Sequence, residues 1–245
     1  MLELKSLPPD CATRRSETVC AGCGARAFSV CGSLEVADLM RLDALAQKAV
    51  FVPGEALVRE GEKADALFNI TSGSVRVYRL LPDGRRQITG FLFAGDFLGL
   101  VAGASHGFSA EAIEPTTACR FRRTEFDALV RDCPPLERVL FARMRHELAA
   151  VQDQLVLLGR KTARERIASF LLELPSHDPM RGTAPGHVRL PMTRTEIADY
   201  LGLTIETVSR VLTKLKVTGV VRLLSLHELR IEQADHLRAI AGGEA

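Results

Sequence analysis

The chain has 245 residues, of which 47% are apolar and 25% charged, with a formal net charge of +2. That length leads us to expect one or two domains with at least one sizeable core, and the mixture excludes a disordered chain. A net charge so close to zero excludes any whole-molecule electrostatic attraction to nucleic acid, and no run approaches the 18 uninterrupted apolar residues of a membrane helix.

The first ten residues carry Glu3, Lys5 and Asp10 among scattered leucines and contain no signal-peptide core, so a cytoplasmic protein is expected. In that compartment six cysteines point to a metal or to redox chemistry rather than to structural disulfides. Four of the six lie in residues 1–33, a segment with few apolar anchors and no periodicity, which stays disordered unless something ties it down. Within it Cys20, Cys23 and Cys31 are spaced x2 and x7; Cys11 lies upstream, and Cys119 and Cys133 lie far away. Three close thiolates and one distant one can form a four-thiolate site for zinc or an iron–sulfur cluster. A single C-x-x-C suits a dithiol redox pair, Cys20 with Cys23, equally well. The six histidines are scattered and show no ligand spacing.

From Phe51 to about Phe126 the texture is that of short strands and turns. Leu81-Pro82-Asp83-Gly84-Arg85 reads as a hairpin turn between Val75–Leu80 and Gln87–Phe93, and the strand spacing suggests an antiparallel barrel or roll. After Pro134-Pro135 the period becomes helical. Phe141, Met144, Leu148, Val151, Leu155 and Leu158 step by alternating threes and fours, a heptad seam. Spacing alone also suits a helix buried within one domain. The seam's place between a β-domain and a basic α-domain favours a dimer helix. A second helix is expected from Thr162 to about Leu174, then a loop from Pro175 to Gly186.

Residues Arg160 to Arg230 hold twelve Lys/Arg against seven Asp/Glu, a basic third on a slightly acidic body. Inside it, Thr193 with Glu196 forms a capping box, Gly202 stands where a helix must end left-handed, and Thr204 caps a second helix reaching about Val217. This is the pattern of a DNA-binding helix-turn-helix, with two wing strands at Gly219–Val221 and Leu229–Ile231. Glu206, Ser209 and Arg210 share one face near the start of the second helix, the part that enters a major groove. Arginine can donate twice to guanine and glutamate can accept from cytosine; the plainer alternative is a solvated Glu206–Arg210 ion pair. Thr195, Thr204 and Thr207 complete the candidate DNA contacts.

Taken together, the chain resembles the FNR branch of the CRP/FNR transcription regulators. The resemblance rests on the cysteine segment, on Gln87-Ile88-Thr89-Gly90-Phe91 running to Gly95-Asp96-Phe97-Leu98-Gly99, and on Leu201 to Arg210. It implies an α+β chain in four parts. These are a cluster-binding segment (1–33), a β-roll like cyclic-nucleotide-binding domains (34–134), a dimerisation helix (135–161) and a winged helix-turn-helix (162–245). It further implies a non-enzymatic homodimer that works with RNA polymerase and reads TTGAT half-sites in double-stranded DNA. Its cofactor would be an oxygen-labile [4Fe–4S] cluster on Cys20, Cys23, Cys31 and Cys119. The cyclic-nucleotide-binding relatives carry an arginine for the cyclic phosphate, whereas His106-Gly107-Phe108-Ser109-Ala110 has none, so no cyclic nucleotide is expected. A sensor of the same fold for a haem ligand or small molecule, and the thiol-redox protein, are the other readings.

Overall fold

The computed structural model describes residue 20 and residues 22–100, 103–178 and 185–244, with Ser176 and His177 described by their backbone alone. Cys11 lies outside the described residues, as do most of the 1–33 segment and positions 179–184 of the expected loop.

Two short 3-10 turns, Arg26–Phe28 and Val30–Ser33, lead into helix α1 (Val36–Leu45). Eight strands follow: β1 (Gln47–Phe51), β2 (Ala56–Val58), β3 (Ala66–Ser72), β4 (Val75–Leu80), β5 (Arg86–Leu92), β6 (Phe97–Leu98), β7 (Ser109–Ala112) and β8 (Thr116–Arg122). They pair antiparallel into two four-stranded sheets, ordered β1-β8-β3-β6 and β2-β7-β4-β5. The expected hairpin is β4–β5. Its turn closes with Leu81 N–H on the Arg85 carbonyl and Gly84 N–H on the Leu81 carbonyl, and Gly84 takes the positive φ the turn requires. Val58, Phe68, Ile70, Val75, Ala110 and Ala118 fill the space between the sheets.

Helix α2 (Arg123–Arg131) leads to the 27-residue helix α3 (Pro134–Arg160). Prolines 134 and 135 stand in its first turn, where a missing N–H breaks no helical bond. Helix α4 (Ala163–His177) starts on the expected Thr162, whose side chain accepts from Glu165 N–H while Glu165 reaches back to the Thr162 N–H. The loop expected from Pro175 begins later than the sequence suggests. Pro175 lies in the last turn of α4, where losing one backbone bond ends the helix two residues on instead of at the proline itself.

Helices α5 (Arg194–Leu201) and α6 (Ile205–Val217) form the helix-turn-helix, and α7 (Ala234–Gly242) packs on α4. The wing has the two expected strands, β10 (Val221–Leu223) and β11 (Glu228–Ile231), and a third, β9 (His187–Arg189), pairs with β11. A three-residue strand shows too little alternation to be read from sequence.

Candidate DNA-reading surface and thiol site

The two capping motifs of the helix-turn-helix form as expected. Glu196 N–H donates to Thr193 Oγ1 at 3.2 Å and Thr193 N–H to Glu196 Oε2 at 2.7 Å. Gly202 sits at φ 62°, ψ 42°, which lets α5 end and the Leu203 N–H bond the Ala198 carbonyl. Thr204 Oγ1 accepts from the Thr207 N–H and starts α6. Ile197, Leu201, Val208 and Leu212 lock the two helices into the core of this domain.

Glu206, Ser209, Arg210, Thr195 and Thr204 are all exposed, and Thr207 is half-buried. Arg210 donates to Thr207 Oγ1 at 3.4 Å rather than pairing with Glu206. The Glu206 carboxyl is held below the usual range by its own backbone N–H and by the Thr204 hydroxyl, so it stays a charged acceptor. Arg164 and Lys214 join Arg210 around a cavity of about 230 Å³ beside α6. Sequence reading missed Arg164 as part of this group, because it comes from α4 and only the fold brings it to Arg210.

The dimer seam is presented to solvent over most of its length. Phe141, Leu148, Val151 and Leu155 are 59%, 60%, 56% and 67% exposed, and Met144 is 37% exposed. Such a row of exposed apolar groups on one helix face marks an interaction surface. Leu158 is half-buried and packs on the core of the DNA-binding domain near Gly202, while its neighbour Leu157 is fully inside. No helix among the described residues is long and apolar enough to cross a membrane.

Elements far apart in sequence bring the thiols together. Cys31 lies in the second 3-10 turn and Cys119 on β8, opposite Asn69 of β3. Both are buried in one apolar cluster with Val30, Leu42, Phe97 and Phe121, and Cys20 packs against it. Cys20 N–H donates to the Asp43 carboxylate at 2.9 Å, and Asn69 Nδ2 lies 4.0 Å from the Cys31 sulfur. Cys20 and Cys31 share a hydrogen bond that favours the thiolate on Cys31 and raises Cys20. Burial pushes the Cys119 thiol up to about 12, with the charges of Cys23, Cys31 and Asp43 adding to it. Cys20, Cys31 and Cys119 thus share one region, and the charge of Cys23 is felt at Cys119. The interaction between Cys20 and Cys31 is one that the C-x-x-C spacing does not suggest. Cys133 lies in the same cluster as the cap of α3. Among the described residues no three His, Cys, Asp or Glu side chains close around a single ion.

Besides the shared apolar cluster, a set of polar contacts joins this region to the long helix. Arg143 of α3 donates to the Phe28 carbonyl and, at 3.1 Å, to the Gly95 carbonyl, and pairs with Asp96 at 3.2 Å. Gly95 takes φ +100°, and a Cβ there would stand 2.8 Å from the Phe28 carbonyl oxygen, so the thiol segment rests directly on this turn.

Comparisons with known proteins agree with this architecture. Residues 48–133 match the cyclic nucleotide-binding domain family and residues 165–240 the Crp-like helix-turn-helix domain family. The chain is 42% identical over 205 residues to the nitrogen fixation regulation protein FixK of Bradyrhizobium diazoefficiens, covering 84% of this chain and 86% of that one. It is 33% identical over 226 residues to the fumarate and nitrate reduction regulatory protein of Salmonella typhi, covering 91% and 90%. The solved structure of FixK2 from Bradyrhizobium japonicum superposes with a TM-score of 0.74 at 37% identity, covering 80% of this chain and 96% of that one. The chain belongs to the CRP/FNR family of DNA-binding transcription regulators.

Proposed function

We propose that this regulator is a cytoplasmic, non-enzymatic homodimer that responds to oxygen through a [4Fe–4S] cluster and binds TTGAT-type half-sites. The observation that carries the reading is the convergence of Cys20, Cys23 and Cys31 with Cys119, which lies on a strand 88 positions beyond Cys31. The donor set fits the group. Tetrahedral thiolate sites suit zinc or iron–sulfur clusters, and a four-iron cluster takes one thiolate per iron. When bound, the cluster supplies an oxygen-reactive centre. The protein's part is to hold four thiolates in an apolar shell and to carry the order of that shell to α3 through Arg143.

The half-site preference rests on Glu206, Ser209 and Arg210 being free to face bases. The exposed seam supplies the homodimer surface, and RNA polymerase is the partner expected of a bound regulator. Cyclic nucleotide is left out on chemical grounds. The stretch His106-Gly107-Phe108-Ser109-Ala110 offers no arginine for a cyclic phosphate, and its Phe108 packs on the β-roll core beside the ring of the buried His106.

The test is the absorption spectrum, iron and sulfide content of protein purified under nitrogen, for the native chain and single serine variants. A broad band near 400 nm that air bleaches is expected (an order-of-magnitude position for a thiolate-bound cluster). Cys20→Ser, Cys23→Ser, Cys31→Ser and Cys119→Ser each abolish it, and Cys11→Ser and Cys133→Ser leave it. A full cluster in Cys119→Ser would remove that ligand. A sharp Soret band would favour a haem sensor. Colourless native protein that closes a Cys20–Cys31 disulfide would favour a thiol-redox regulator.

A further inference from the structure

Helix α5, which opens the helix-turn-helix, is eight residues long. The β4–β5 hairpin grips it near both ends, through side chains at its start and through a side chain and a backbone carbonyl at its far end. At the start of α5, Arg76 Nη1 lies 2.8 Å from Glu196 Oε1. Glu196 is only 4% exposed and already gives its other oxygen to Thr193. Arg76 is itself fixed by Glu111 at 2.5 Å, and Glu111 also accepts the Tyr78 hydroxyl. At the far end, Gln87 Nε2 donates to the Asp199 carbonyl at 2.8 Å, and Arg86 pairs with the Asp199 carboxylate at 2.8 Å.

The reading face is untouched by this grip, since Glu206, Ser209 and Arg210 remain exposed. Because α6 is locked to α5 through Val208, Leu212, Ile197 and Leu201, fixing α5 fixes the axis along which α6 meets DNA. We propose that the β4–β5 hairpin is the positioning element of the DNA-binding domain, with Arg76 and Arg86 as positioning residues that set the half-site spacing the dimer accepts. Two recognition helices in one dimer must stand roughly one helical turn of DNA, about 34–36 Å, apart. The chain between α3 and α4 is two residues long, Lys161 and Thr162, and gives one pivot point. A pivot leaves rotation open; the ion pairs on α5 restrict it together with the Arg189–Glu114 pair and the packing of Phe91 and Phe93 on the DNA-binding domain. The inference uses the homodimer reading above and is independent of the cluster.

The experiment uses the full chain, with palindromes whose half-sites are moved one base pair closer or further apart and a probe carrying a single half-site. Sedimentation is run alongside. The Arg76→Gln, Arg86→Gln double variant should lose about tenfold on the preferred spacing, less on the shifted ones, and nothing on the single half-site. Should leaving Glu196 buried without its partner unfold that protein, Arg86→Asp tests the same point at a half-exposed pair, and adding Asp199→Arg should restore the preference. An unchanged spacing preference in Arg86→Asp would overturn the proposal. So would an equal loss on the single half-site, no rescue by Asp199→Arg, or a monomeric variant, which would place the residues in dimerisation instead.

Discussion

The helix-turn-helix and the thiol segment are both short pieces of chain that carry chemistry, and they are held in opposite ways. Between Thr193 and Val217 the contacts that shape the two helices are mostly local, and the β4–β5 hairpin adds its grip on α5 from outside. Thr193 meets Glu196, Thr204 meets Thr207, Gly202 turns the chain, and Ile197, Leu201, Val208 and Leu212 bury one another. Between Cys20 and Ser33 there are local backbone turns, such as Arg26 N–H on the Cys23 carbonyl and Gly32 N–H on the Ser29 carbonyl, but the segment is anchored to the body by borrowed contacts. Cys20 leans on Asp43, Phe28 on Gly95 and Arg143, and Cys31 on Asn69. A segment whose order is borrowed can be released by a change at one group while the rest stays folded. A segment ordered from within moves only as a body. That division suits a sensor at one end and a reader at the other, with α3 touching both.

The largest effect is expected where the two ends are joined across the dimer. Val151→Asp places two like charges face to face in the seam without partners, which should cost about 3–5 kcal/mol and leave monomer at micromolar concentration. Sedimentation reads this directly, and an unchanged dimer would take Val151 out of the interface. The same measurement on cluster-free protein should still find substantial dimer, because no charged residue stands at any of the six seam positions.

On the reader, Arg210→Ala should weaken binding by about 1–3 kcal/mol at one base of each half-site. Competition with half-sites changed one base at a time shows this. A uniform loss across all sequences would mean a phosphate contact only. On the sensor, Gly95→Ala puts a Cβ against the Phe28 carbonyl at a left-handed position, at a cost of about 1–3 kcal/mol. Hydrogen exchange should rise over residues 22–33 and stay unchanged over α5 and α6. If the helix-turn-helix loosened equally, the contrast between borrowed and local order would fail. The smallest effect is expected from Thr193→Ala, about 1 kcal/mol off the thermal stability of the DNA-binding domain, with no change in exchange at the thiol segment.

What the amino-acid sequence determined by itself lies where the physics is short-range. Caps, the left-handed glycine, the β4–β5 turn and the heptad spacing all act within about seven residues, so Thr162, Thr193, Gly202, Thr204 and the row from Phe141 to Leu155 could be read directly. The cysteine spacing marked a thiol site, but Cys119 entered only through family resemblance, because the register of β8 against β3 is what carries it to Cys31. Tertiary structure alone decided that Leu158 turns partly into the DNA-binding core and that Arg164 stands beside Arg210. It alone seated Phe28 under Arg143 and the two ends of α5 under Arg76, Arg86 and Gln87. Each of these pairs groups separated by about 40 to 120 positions, and nothing in local propensity or period encodes such a meeting. It follows only once burial of the shared cores has brought the elements together.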